Sequence, residues 1–383
     1  MRSSIKTLII TILISTLFFA CTSPKKLLEK GNYYDAVLLS VEKLKRNPNN
    51  KKAKETLQEA YKLAVDDLLN KLERDRLIQP QFTNSTAAYT YEDLNRMYEK
   101  VQQSPVAKQI IRNPEKFYIQ LAKVKPLAAE EQYQAGMEQL SIGKRENAKQ
   151  AYYYFQDADA FVKNYKDVSD KIEEAYHLSL LIVLANLKPV QSRMYELSAD
   201  VFYNEVKNIL NQIEQKELVR FYTPRQAKEM NLNKPDQILT INFEDFVVGE
   251  THTKERIEKM QADSVKVGQI TLDDKTKKDV YGSVKAKVSI NRMEVISRGI
   301  INLNIIQKDY NEVFIDQDFA GEYVWFNEWG YYNGDKRALT KNQIEICNRK
   351  RVNPIPPQQM FVEFTKPIHD QLRRRLFNFY NGY

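Results

Sequence analysis

The sequence predicts an α + α/β chain, in which an N-terminal array of helical repeats is followed by a mixed-sheet α/β unit. Three observations carry this. Between Cys21 and about Tyr176 the apolar residues recur at helical spacing, with small residues at fixed offsets. From Leu178 the run "LSLLIVLANL" is continuously apolar, as in a strand buried on both faces. Thereafter "QILTINFEDFVV" and most of Val280 to Trp325 alternate with a period of two. The expected divisions are 1–20, 21–176 and 177–383.

The first division is a leader. "MRSSIK" is a short basic head, and "TLIITILISTLFF" is an apolar run too short to span a bilayer comfortably. The residues "LFFAC" follow, and they resemble the lipobox of bacterial lipoproteins. That resemblance implies cleavage before Cys21 and acylation of its thiol, an anchor that several chains make permanent at about 0.8 kcal/mol per buried methylene. The expected location is therefore the outer membrane. "TSPKK" lacks the acidic run of surface-exported lipoproteins from Bacteroidota, the phylum the Lys-, Asn- and Tyr-rich composition suggests, so the chain is expected to face the periplasm. With Cys21 acylated, only Cys347 remains, and no disulfide forms within one chain.

The formal net charge is +8, of which Arg2 and Lys6 in the leader supply two. Both ends of the mature chain are basic and its middle is acidic, which suggests anionic surfaces near the ends. No zinc-finger spacing or RNA-recognition signature is present, so nucleic acid is not an expected partner.

"LLEKGNYYDAVLLSVEKLKRNPNN" places Gly31 at a turn between two helices, Ala36 at a close helix contact and "NPNN" at the following break. It resembles a tetratricopeptide repeat, although Lys43 stands where that pattern has a small residue. A second match, from Ala129, puts Gly136, Gly143, Ala148 and Phe155 at the repeat's offsets. Two such units do not make a stable solenoid, so Tyr61 to Lys125 should hold degenerate helical pairs. "QPQFTNSTAAYT" within it, with Pro80 and small polar residues, reads as a loop.

In the second half a strand is expected from Leu178, a helix over Met194 to Gln215, and a short strand at Val219 to Tyr222. A strand in "QILTINFEDFVV" follows, then three more over Val280 to Trp325, with Asp309, Tyr310 and Asn311 at the last turn. The alternative continues the helix from Asp170 through Ala185. The expected order resembles the α/β domain of the curli-secretion lipoprotein CsgG, the amino-terminal domain of TolB and the penicillin-binding-protein activator lipoproteins. A CsgG-like pore is disfavoured, because no pair of long alternating strands is apparent.

No catalytic residue, metal site or cofactor is expected beyond the acyl group on Cys21. His177, His252 and His369 are far apart, and no HExxH, GxSxG, Walker or GxGxxG motif occurs. Glu244 with Asp245, and Asp273 with Asp274, are neighbours that point to opposite faces of a strand. What remains is "YVWFNEWGYYNGDKRAL", Tyr323 to Leu339, which holds both tryptophans. Gly330 and Gly334 are read as turn residues that break the strand, with Trp325 in the core and Trp329, Tyr331 and Arg337 facing a partner. These features point to a lipid-anchored scaffold or adaptor of a cell-envelope complex for outer-membrane assembly, secretion or peptidoglycan synthesis. A cell-wall or glycan-binding lipoprotein that uses Trp325 and Trp329 is the alternative, with peptidoglycan as ligand.

Overall fold

A computed structural model describes residues 23–383 except 233, 274 and 309–311. The leader with Cys21 and the turn expected at Asp309 to Asn311 lie outside the described residues. The chain adopts the α + α/β layout in two compact units, one ending at Ser179 and the other running Leu180–Tyr383.

The first unit is helical: α1 (Pro24–Glu29), α2 (Tyr33–Arg46), α3 (Lys51–Ile78), α4 (Thr83–Gln102), α5 (Pro105–Ile110), α6 (Tyr118–Ser141), α7 (Arg145–Phe161) and α8 (Val168–Ser179). Polar caps start several of them: the side chains of Ser23, Asn32, Asn50 and Ser104 each accept a backbone N–H three residues on. Gly31 and Gly143 hold the left-handed turns before α2 and α7, at φ +77° and +72°, where a Cβ would be strained. Gly136 serves another end: a Cβ there would sit 2.6 Å from the Phe155 ring, so the glycine is what lets α6 and α7 close on each other.

One expectation fails in this unit. The Ser/Thr-rich segment read as a loop forms a single 3₁₀ turn, Pro80–Phe82, and then the first two turns of α4. Phe82 supplies no side-chain cap; instead Glu131 of α6 accepts the Asn84 and Ser85 backbone N–H groups at 2.8 and 2.7 Å. A carboxylate 46 residues away in sequence satisfies donors that the local residues leave open.

Ala36 is fully buried against α3 and α4 residues such as Leu57 and Met97, and Ala148 is buried on α7. Replacing either by Phe should overpack its site and cost about 1–3 kcal/mol. Thermal melting followed by far-UV circular dichroism checks this; unchanged melting of both variants would show that neither alanine sits in a tight contact.

The second unit is a five-stranded sheet of order β2-β1-β3-β4-β5, built from β1 (Leu181–Leu187), β2 (Val219–Tyr222), β3 (Gln237–Thr271), β4 (Lys277–Gln307) and β5 (Glu312–Gly334). Strands β2, β1 and β3 are parallel, and β3, β4 and β5 antiparallel. Leu181–Leu187 is thus a strand, not a prolongation of α8. Helices α9 (Glu196–Glu214) and α12 (Pro357–Tyr380) cover one face, here the inner face, while α10 (Pro224–Glu229) follows β2 behind a Thr223/Gln226 capping box. The core between sheet and helices includes Val183, Leu239, Ile301, Leu303, Ile305, Phe202, Val206, Phe361, Phe364 and Leu372.

Two expectations about the strands are corrected. β3 does not end near Val248 but runs 35 residues, and Val280 to Trp325 forms parts of two strands, of 31 and 23 residues, instead of three. The chain therefore does contain a pair of long strands. Four register shifts along β3, at Phe243/Asp245, Val248/Glu250, Ala262/Val265 and Lys266/Gly268, reset its alternation, which hides the strand from a period-two reading. Beyond Thr253, whose β4 partner Met293 still touches Met360 of α12, the strands leave the helical layer as an arm, and Lys254 to Thr271 alone spans roughly 55 Å at about 3.3 Å per residue.

The arm changes which face is covered. On β4 the buried residues are odd-numbered from Met293 to Ile305 but even-numbered at Val284, Ala286, Val288 and Ile290. Alternate residues point to opposite faces, so the apolar side switches between Ile290 and Met293. The even set packs on the outer face against Ala338, Leu339 and Ile346, from the 3₁₀ turn Lys336–Ala338 and α11 (Lys341–Asn348). Two surfaces are left without a helix of this unit: the outer face near the body and the inner face of the arm.

Candidate functional site on the two faces of strand β5

The segment Tyr323 to Gly334 is not broken by a turn. It is straight β5, paired in register with β4 from Ser297↔Tyr323 to Ala286↔Gly334. Gly330 is there for closeness, not for bending: a Cβ would lie 2.8 Å from the Ser289 carbonyl oxygen and 3.4 Å from Cys347 Sγ, so the glycine lets α11 settle on the arm. The Cys347 thiol beneath it is partly buried, and burial pushes it up from its ordinary value.

Trp325 and Trp329 were expected to divide into a core residue and an exposed one, and they do not. Four residues apart on one strand, they share the inner face. Both are half-buried and pack on the cluster of Met293, Val295 and Met360, with Tyr323 and Ile355 beside them. The Arg351 guanidinium sits 5.7 Å from the Trp329 ring. We therefore expect Trp325→Ala and Trp329→Ala to lower stability by similar amounts, about 1–3 kcal/mol each, below the full cost of a buried aromatic. Urea titration of the two variants checks this; a midpoint unchanged for Trp329→Ala would restore the division.

The remaining residues of the segment differ in their freedom. Tyr331 is 61% exposed and donates through its hydroxyl to Glu255 at 3.2 Å. Arg337 is already engaged: Nε and Nη2 fork onto Asp335, and Nη1 donates to the Lys266 carbonyl at 2.5 Å, tying the end of β5 to β3. Those hydrogen bonds hold the Asp335 carboxyl down at about 2. Because its pKa is depressed, the pairing of Arg337 with Asp335 is fully formed above the ordinary carboxylate range and is lost only as pH falls toward 2.

The outer face of the same strand carries what sequence reasoning missed. Phe326 is 52% exposed, and the Arg292 guanidinium lies 4.5 Å from its ring. Arg292 is itself held by Glu294 at 2.6 Å and Glu328 at 3.1 Å. Val324, Ile300 and Val247 extend the apolar surface, and Ile300, Val247, Ala320, Arg298 and Glu322 line a hollow of about 300 Å³. The available signal was the phase switch in β4, which separates the two sides of that strand but does not say which of them a helix covers.

Nearer β1 the outer face becomes polar. Lys188, Asn242, Glu244, Asn304, Asp316 and Asp318 line a hollow of about 660 Å³, and the Asn302 amide donates to Asp316 and Asp318 at 2.8 and 2.9 Å. Among the described residues no group of His, Cys, Asp and Glu is arranged to hold a metal ion. The histidines stay apart: His177 on α8 near Glu173, His252 on β3 near Glu250, and His369 on α12 near Asp370. Among the described residues no helix is long and apolar enough to cross a membrane. No protein-family model matches this chain, and no curated protein matches it.

Proposed function

We propose that the chain is a lipid-anchored scaffold or adaptor subunit of a cell-envelope complex, serving outer-membrane assembly, secretion or peptidoglycan synthesis. In this reading acylated Cys21 holds it at the outer membrane, facing the periplasm, and the helical unit acts as a tetratricopeptide-like array. The sheet unit docks a protein through the outer face of β4 and β5. The observation that supports the reading best is Phe326 under Arg292 on an exposed sheet face where Val324, Ile300 and Val247 alternate with charged residues. An exposed aromatic ring with a guanidinium held over it by two carboxylates is the kind of anchor an interface hot spot uses. No catalysis and no cofactor belong to this reading.

Two variants test it. Cys21→Ala should move the protein from the membrane to the soluble fraction, because the acyl group is the anchor. Phe326→Ala should leave melting within a degree while reducing the protein recovered with it from its own envelope by about tenfold or more, the loss of one hot spot. Full recovery with both Phe326→Ala and Val324→Asp would place the partner elsewhere.

A further inference from the structure

We propose that the bare inner face of the arm is a binding platform for an acidic glycan, the carboxylate-bearing strands of peptidoglycan. The inference takes the envelope location from the reading above, but not its protein partner. Lys259 on β3 stands directly opposite Lys287 on β4, and Lys285 stands opposite Gln261. Asn333 of β5 pairs with Lys287 from the other side. These five residues line one hollow of about 550 Å³.

Like charges facing each other across strands work against the sheet. Here the fold opposes two ammonium groups and adds a third on the same face, and among the described residues none of the three makes an ion pair. The nearby acids take their hydrogen bonds from other groups, and Asp263 feels the charge of Lys285 without forming an ion pair with it. Asp263 accepts from Ser283 and Gln261, which with the charge of Lys285 hold its carboxyl low, and Glu255 accepts from Tyr331. The three ammoniums are exposed on a face no helix of this unit covers, so an external anion can satisfy them.

The neighbours of the lysines narrow the anion to a glycan. Tyr331 lies two residues from Asn333 on the same face, 61% exposed, and offers a flat ring for a sugar. The Gln261 and Asn333 amides can both donate to and accept from hydroxyl groups. A lipid surface would have no use for these amides, and among the described residues Ile257 is the lone exposed aliphatic residue beside Tyr331 to insert. Stacking ring, amides and ammonium groups together match sugar face, hydroxyls and carboxylates.

The test sediments the full chain, purified in detergent, with isolated peptidoglycan sacculi. The unmodified chain should be retained, and raised salt should weaken retention. Lys259→Gln/Lys285→Gln/Lys287→Gln should reduce it by about tenfold or more, while the corresponding triple Arg variant keeps it. Because the Gln variant relieves the Lys259/Lys287 repulsion, it should melt no lower than the unmodified chain. Tyr331→Ala should weaken retention with no change in melting. Absence of retention, or retention indifferent to the triple Gln change, would overturn the proposal. So would binding to phosphatidylglycerol vesicles or to a single-stranded oligonucleotide with the sacculi left bare. Loss of protein capture by Phe326→Ala leaves this assay untouched, so the two readings fail separately.

Discussion

Phe361→Ala should lower the stability of the sheet unit by about 3–5 kcal/mol, the range for deleting a fully buried large aromatic side chain. Phe361 is completely inaccessible and has four ring neighbours: Tyr195, Phe243, Phe246 and Phe364, with centroids 5.3, 5.4, 5.3 and 5.0 Å away. Those rings come from the segment before α9, from β3 and from α12 itself, so no single element can collapse into the space left behind. The loss is a large fraction of the roughly 5–15 kcal/mol that holds a domain folded. Both tryptophans lie in this unit, so their fluorescence in a urea titration reads its unfolding. A shift worth less than about 1 kcal/mol would mean that the aromatic cluster does not carry the packing of α12 on the sheet.

Gly321→Val should be nearly as damaging, for the opposite reason. A Cβ at Gly321 would come within 2.2 Å of the Phe364 carbonyl oxygen and 2.7 Å of Ile368 Cγ1. The first contact is backbone, so no rotamer change relieves it, and α12 must lift from the sheet. Gly299 is its cross-strand partner, and a Cβ there would meet the Phe364 ring at 2.7 Å. The two glycines form a trough in the inner face, and α12 lies in it. Overpacking of about 1–3 kcal/mol is the floor for Gly321→Ala, and the two extra methyl groups of Val raise it. Gly268→Ala, where no atom lies within 4 Å of the added Cβ, should be close to neutral and serves as the control. Equal melting of Gly321→Val and Gly268→Ala would remove the trough from the account.

The elements written in local grammar were legible. β2 was read at Val219 to Tyr222, where it lies, and α9 within two residues at its start and one at its end. The continuous apolar run after Leu178 announced β1, because a central parallel strand is buried on both faces. The arm was not legible. Its four register shifts reset the alternation that defines a strand, and its exposed residues between Thr251 and Lys259 carry the charges of a loop. The far end of β5 is hidden as well, because Gly330 resembles a turn residue when read alone. Its actual role, admitting Cys347 and Ile346 of α11, exists only once α11 has returned to the arm.

Periodicity and apolar runs in the sequence alone determined two units of different class, with helices first and a mixed sheet second, since these follow from which residues each segment must bury. Which faces of that sheet stay open was decided by the tertiary structure. α12 covers the inner face of the body and α11 the outer face of the arm, and the switch between Ile290 and Met293 brings Phe326 and Arg292 to one bare surface. It brings Lys259, Lys285 and Lys287 to the other. Residues that far apart along the chain meet through strand register, which is set by pairing between segments and leaves no mark within any one of them.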